Sequence, residues 1–159
     1  MSGKLFASTI LVGGIALASM VGGTVNASAL SKTQENAVVK MAKAERGVPY
    51  KYGGTSTRGF DCSGLAQYVY KHAAHKSLPR TSEAQYSHVT HVSWANRKPG
   101  DLVFFKEHGD VGHVGIYIGV INHHSMMIAA PYTGKNVREE VIYSSYWKSR
   151  ATISFGRVK

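Results

Sequence analysis

Gly59-Phe60-Asp61-Cys62-Ser63-Gly64-Leu65 holds the only cysteine in a chain of 159 residues. An acid precedes the thiol, a hydroxyl follows it, and a glycine-rich approach through Tyr52-Gly53-Gly54 leads up to both. Beyond it, Leu65, Val69 and Ala73 recur every four residues with Ala66 and Tyr70 beside them, one apolar face of a helix ending near His75. A helix beginning at Ser63 would leave Cys62 at its N-terminus, where unpaired N–H groups and the dipole favour thiolate. A structural cysteine instead sits among apolar neighbours and stays inert. The polar, glycine-flanked setting points to a nucleophile.

Upstream, Ser31-Lys32-Thr33-Gln34 fits a capping box, and Ala37, Val38, Met41 and Ala42 continue at helical spacing to Glu45. Gly47 and Pro49 then stop that helix, which has packing rather than chemistry to offer. Residues 48–60 read as a loop wrapped near a site, in which Tyr50 or Tyr52 could set a phenol beside the thiol. Downstream, Leu78-Pro79-Arg80-Thr81-Ser82-Glu83-Ala84-Gln85 returns from loop to helix, capped by Thr81 or Ser82.

After Lys98-Pro99-Gly100-Asp101 the texture changes to strands. Residues 102–105 read as a short buried strand and 107–112 as a polar loop. Residues 113–120 alternate strictly, with Val114, Ile116, Ile118 and Val120 on one face and His113, Gly115, Tyr117 and Gly119 on the other. Two glycines on one face invite another element close. The Cys62 helix is the expected visitor, which would bring thiol and His113 to the same side. Segments 126–130, 137–143 and 150–158 supply further strands. Helices followed by antiparallel strands make an α+β layout in one domain.

The first thirty residues read as an export signal. Lys4 is the only charge before Lys32, apolar runs separated by glycines lie between them, and Ala27-Ser28-Ala29 has the small-x-small pattern of a cleavage site. A membrane anchor is the competing reading, since the uncharged span is nearly long enough to cross a bilayer. The interrupting glycines favour a cleaved signal peptide over residues 1–29 and a secreted domain over 30–159, not held in the membrane.

Composition narrows the partners. The chain is 43% apolar and 18% charged, enough for a core and unlike a disordered segment. One cysteine excludes an internal disulfide and a cysteine-rich zinc site. The eight histidines show no spacing that sets two on one helical face beside a carboxylate, so no metal and no cofactor are expected. The formal charge of +10 comes without a Lys/Arg block, zinc finger or helix-turn-helix pattern. Nucleic acid is therefore not expected, and an anionic cell-wall polymer is the partner such a surface suits. A monomer is expected.

A nucleophilic thiol needs a base, and imidazole is the side chain matched to neutral pH. Gly112-His113-Val114-Gly115 is preferred because small neighbours and strand alternation would expose that ring towards the helix. Cysteine on a helix first, histidine at a strand start later, resembles the order in papain-like hydrolases. The Cys62 N–H would form part of an oxyanion hole, and thiolate and imidazolium would rest as an ion pair with a bell-shaped rate profile.

Five segments then carry a family resemblance. They are 48–54, 59–65, 78–82, 98–105 and 112–117, in that order, and together they resemble the NlpC-type cell-wall peptidases. The resemblance implies a papain-like core and hydrolysis of peptidoglycan stem peptides between γ-D-glutamate and the following diamino acid. It implies Cys62 as nucleophile, His113 as base, Tyr50 by the oxyanion, and Asp61 and Ser63 at the free amine end of the stem. One position departs from the pattern. Where the family usually has a polar residue, most often His, just before Ala-Pro, this chain has Ala129. His123 or His124, in the preceding turn, are the nearby substitutes. The lost orienter motivates one competing reading, a catalytically weak wall-binding or toxin-like module, and a third is another reaction on the same scaffold, by an N-acetylmuramoyl-L-alanine amidase or an acyl transferase.

Overall fold

The computed structural model describes residues 29–159, and residues 1–28 of the expected signal peptide lie outside them. Helix α1 (Lys32–Ala44) comes first, then a small hairpin of β1 (Thr55–Ser56) and β2 (Gly59–Phe60). Helices α2 (Cys62–Ala74) and α3 (Ser82–His88) follow. The second half contributes β3 (Thr90–Val92), β4 (Leu102–Glu107), β5 (Asp110–Ile121), β6 (His124–Ala129), β7 (Arg138–Val141), a short helix α4 (Ser145–Lys148) and β8 (Thr152–Arg157). These strands form one antiparallel sheet in the order β3-β8-β4-β5-β6-β7. This is the α+β, papain-like arrangement of N-terminal helices on an antiparallel sheet that the sequence led us to expect.

The helix starts follow from their caps. Ser31 and Gln34 close the expected capping box on α1. Thr81, of the two residues considered, caps α3 by accepting from the Ala84 N–H at 3.2 Å. Helix α2 begins one residue earlier than expected, because Asp61 is its N-cap and Cys62 its first helical residue.

Two apolar layers sandwich the sheet. On the helical side, Val114, Ile116 and Ile118 of β5 meet Leu65, Val69 and Tyr70 of α2. On the far side, Phe105, Tyr117, Met127, Ala129, Ile142 and Phe155 form a smaller core, with Trp147 packed against it. The expectation that α2 would cover the glycine face of β5 is therefore wrong. Burying each branched aliphatic side chain is worth about 1.5–3 kcal/mol, and a face of glycines offers no such return. Helix α2 takes the Val/Ile face. The close neighbour that requires Gly115 is Met127, whose Sδ would stand 2.6 Å from an added Cβ. His113 shares this far face, against the rings of Phe105 and Trp147, and not the α2 side on which it is expected to meet the thiol.

Two further expectations change in detail. Segment 107–112 is not a loop but the tip of a tight hairpin, with Glu107 opposite Asp110 and positive φ at both His108 and Gly109. The alternation of β5 does not reach Val120, because a register shift between Tyr117 and Gly119 leaves that valine 59% exposed.

Candidate active site

The thiol is built from its own segment outward. The Asp61 carboxylate accepts the Gly64 N–H at 2.7 Å and the Gly53 N–H at 3.0 Å, which pins the loop to the first turn of α2. The close fit explains the glycine after Ser63, since a Cβ on Gly64 would stand 2.0 Å from the Gly54 carbonyl oxygen. Arg80 closes the group with a two-pronged ion pair to Asp61, and its Nη1 donates to Ser63 Oγ at 2.9 Å. Ser63 Oγ in turn donates to Asp61 Oδ1 at 3.3 Å. Burial pushes the Asp61 carboxyl up, but the hydrogen bonds from Arg80, Gly64 and Gly53 outweigh it and hold the group below its ordinary range. Asp61 and Ser63 are thus already committed to Arg80.

Cys62 lies half-buried on this platform. Burial pushes its thiol up, while the backbone N–H groups of Val114, Ser63 and Cys62 lie close enough to favour the charged form, and Asp61 opposes them. The Val114 contact fixes the geometry of the site. At Val114, β5 pairs with β4 through Phe104, whereas β6 ends at Ala129, opposite Gly115 in the strand alignment. The sulfur therefore lies near β5, one residue along the strand from His113, whose ring belongs to the other face of the sheet. Tyr50 stands near enough that, after burial, the charges of Cys62 and Asp61 raise its phenol above its ordinary value. Tyr52, the other tyrosine considered, is 88% exposed.

The imidazole is held differently. His113 is 6% exposed, and its Nε2 is buried without a hydrogen-bond partner. Trp147 of α4 stacks on it with ring centroids 5.2 Å apart and planes 11° from parallel, and Phe105 packs at 5.5 Å. Ala129 faces the same layer diagonally across from it, with no polar atom to offer. Burial alone pushes the imidazole down to about 4. Both reacting groups are thus biased towards their neutral forms. That bias runs against the expected resting ion pair.

The local sequence reading missed several supporting residues. Arg80 completes the thiol platform from a segment that resembles the family but has no site role in that reading. Gln85, fully buried, ties α3 to α2 by donating to the Ser63 carbonyl at 3.0 Å. Ser82 Oγ donates to the Val111 carbonyl at 2.7 Å and Glu83 accepts the Val111 N–H at 2.9 Å, which fixes β5 two residues before His113. Trp147 lay in a stretch without helical periodicity. His123 and His124, the proposed substitutes for the missing orienter, are exposed at the β5–β6 turn. Among the described residues, no group of three His, Cys, Asp or Glu side chains gathers to hold a metal ion, and no helix is long and apolar enough to cross a membrane.

Residues 47–155 match the model of the NlpC/P60 family. The chain is 41% identical over 121 residues to "Probable endopeptidase p60" of Listeria monocytogenes, covering 76% of this chain and 23% of the relative. It is 41% identical over 123 residues to "Gamma-DL-glutamyl hydrolase" of Bacillus subtilis, covering 76% of this chain and 29% of the relative. The chain spans roughly a quarter of the length of these relatives. Among solved structures, the NlpC/p60 domain of the peptidoglycan hydrolase SagA superposes with a TM-score of 0.64 at 31% identity, over 76% of this chain and 96% of that domain.

Proposed function

The chain belongs to the NlpC/P60 family, and from that premise we propose that it is a secreted cysteine endopeptidase. Its substrate is the γ-D-glutamyl–diamino acid bond of peptidoglycan stem peptides. The observation that supports this reading is the Cys62 sulfur at the first turn of α2, near the backbone N–H of Val114, the residue that follows His113 in β5. Neutral His113 takes the thiol proton as sulfur attacks the carbonyl carbon. The Cys62 backbone N–H, with Tyr50 beside it, receives the developing oxyanion. Collapse breaks the C–N bond, the imidazolium returns its proton to the departing amine, and water then hydrolyses the thioester. Asp61 and Ser63 bind the free amine end of the stem, with the Asp61 carboxylate serving both that cation and Arg80. Export by a signal peptide over residues 1–29, with 30–159 as the working domain, belongs to the same reading.

A neutral resting pair has a consequence for pH. The acid limb of kcat/KM belongs to His113, whose burial moves it below the ordinary histidine value of ~6.5. Digestion of defined muropeptides by the secreted protein, with mass analysis of both fragments, tests the assignment. Cleavage after γ-D-glutamate, lost by at least about 10³-fold in Cys62→Ala, is the expected result. Release of an intact stem from muramic acid would instead identify an amidase. Ala129 and the unpartnered Nε2 favour one second reading, a wall-binding module with residual activity. Pelleting with walls without fragment release would select it.

A further inference from the structure

The chain has only nine acidic residues against nineteen Lys and Arg, yet four of the nine gather in one place. Glu107, Asp110, Glu139 and Glu140 line a single cavity of about 990 Å³, together with Arg138 and His113. Arg138 is committed to Glu140, its Nε donating to Oε1 at 2.8 Å, and Arg46 reaches Glu139 at 2.7 Å from outside the lining. Among the described residues, no Lys or Arg pairs with Glu107 or Asp110. A basic protein therefore keeps a local anionic field at this one concavity, large enough for an amino-acid side chain and its neighbours.

The cavity has a defined relation to the chemistry. His113, more than nine-tenths buried and with Nε2 unpartnered, belongs to its wall, whereas Cys62, Tyr50 and Asp61 do not. In the proposed reaction the acyl half becomes bonded to sulfur, and the amine half must lie against the imidazole to collect its proton. The cavity is on the imidazole side. Resting on the hydrolase reading above, we infer that this cavity receives the diamino acid on the leaving side and selects one whose side chain ends in a free ammonium, as in a lysine-type stem without a cross-link. The ammonium meets Glu107 and Asp110, and the methylene chain runs along the aromatic wall of Trp147 and Tyr146. Acylating that amine removes the charge the cavity recognises. A side chain ending in both ammonium and carboxylate brings a group that the same acids repel.

The test uses three soluble stem peptides that differ only after γ-D-glutamate, carrying L-lysine, Nε-acetyl-L-lysine or meso-diaminopimelate. The wild-type protein and a Glu107→Gln/Asp110→Asn double variant are assayed at low and high salt. The lysine peptide is expected to lead the acetylated one by about tenfold in kcat/KM at low salt, mainly through KM, with the lead shrinking as salt rises. The double variant should reduce that ratio to about twofold. Equal cleavage of all three peptides, or a preference for either alternative, overturns the inference and leaves the hydrolase reading intact. Failure of the folded protein to cleave any of them overturns the hydrolase reading and the inference together.

Discussion

The two halves of the site solve opposite problems. Around the thiol, the Asp61 carboxylate accepts from Gly53, Gly64 and Ser63, Arg80 balances its charge, and Ser63 bridges the two. Around the imidazole, stacking and burial replace hydrogen bonding, and a polar nitrogen is left alone. A fully paired cluster fixes direction through short, angle-dependent bonds. A stacked ring is fixed in its plane, while burial biases it towards the neutral form. The difference teaches that the thiol is held in place by polar bonding, whereas the imidazole is held by shape.

The largest expected effect tests the base as a buried neutral group. Burial holds the folded imidazole at about 4, and an unfolded histidine titrates near ~6.5. Between those values the unfolded chain binds the extra proton, so stability is full above about pH 6.5 and declines as pH falls towards 4. The whole window is worth about 3 kcal/mol. Urea unfolding at pH 7 and pH 4, in wild type and His113→Gln, measures it. The variant should lose about 3 kcal/mol less between the two pH values, with the shared carboxylates cancelling. Parallel losses in the two proteins would mean that His113 carries its proton in the fold.

The thiol side should respond to a different lesion. Asp61→Ala removes the N-cap of α2 and leaves Arg80 and the Gly53 and Gly64 N–H groups without their acceptor. A cap is worth about 1 kcal/mol, and the lost, half-exposed ion pair adds about as much, so a loss near 2 kcal/mol is expected. Asp61→Asn keeps the cap and should lose about half of that. Thermal melts of both variants at pH 7 separate cap from charge. If Ala and Asn cost the same, the ion pair and not the cap holds this half together.

These contrasts follow how each half is written in the chain. The thiol platform lies mostly within residues 53–64, so local rules of capping, glycine approach and dipole could be applied directly, and only Arg80 comes from elsewhere. The helix and strand order was legible for the same reason, because periodicity and turn residues act over a few positions. The imidazole half is assembled from β4, β5, β6 and α4, which meet only through the sheet. Alternation in β5 identified its two faces correctly from His113 to Ile118, yet it could not say which face the helix would choose. That choice was made by buried area, a sum over many distant side chains. A four-residue helix carrying Trp147 has no periodic signal at all. The acidic cavity was equally hidden, since Glu107 and Asp110 come together with Glu139 and Glu140 only in the folded sheet.

The smallest effect concerns what the stacked base lacks. Ala129 is fully buried on the layer that carries His113, across from Gly115, so a ring at position 129 reaches towards the imidazole diagonally. Ala129→His would offer Nε2 an acceptor, holding one tautomer and favouring the charged form as it appears in the reaction. A gain of about threefold to tenfold in kcat, with little change in KM, is expected once the base is oriented by a bond as well as by Trp147. The added ring also crowds Met127 and Ile142 in the small core and should cost about 1–3 kcal/mol in a melt. Rate and stability should therefore move in opposite directions, which loosened packing alone does not produce. The same substitution in Trp147→Leu separates the two supports. If the bond and the stack act on one ring, the histidine should recover more rate there than in the wild type, because the ring it orients has lost its other constraint.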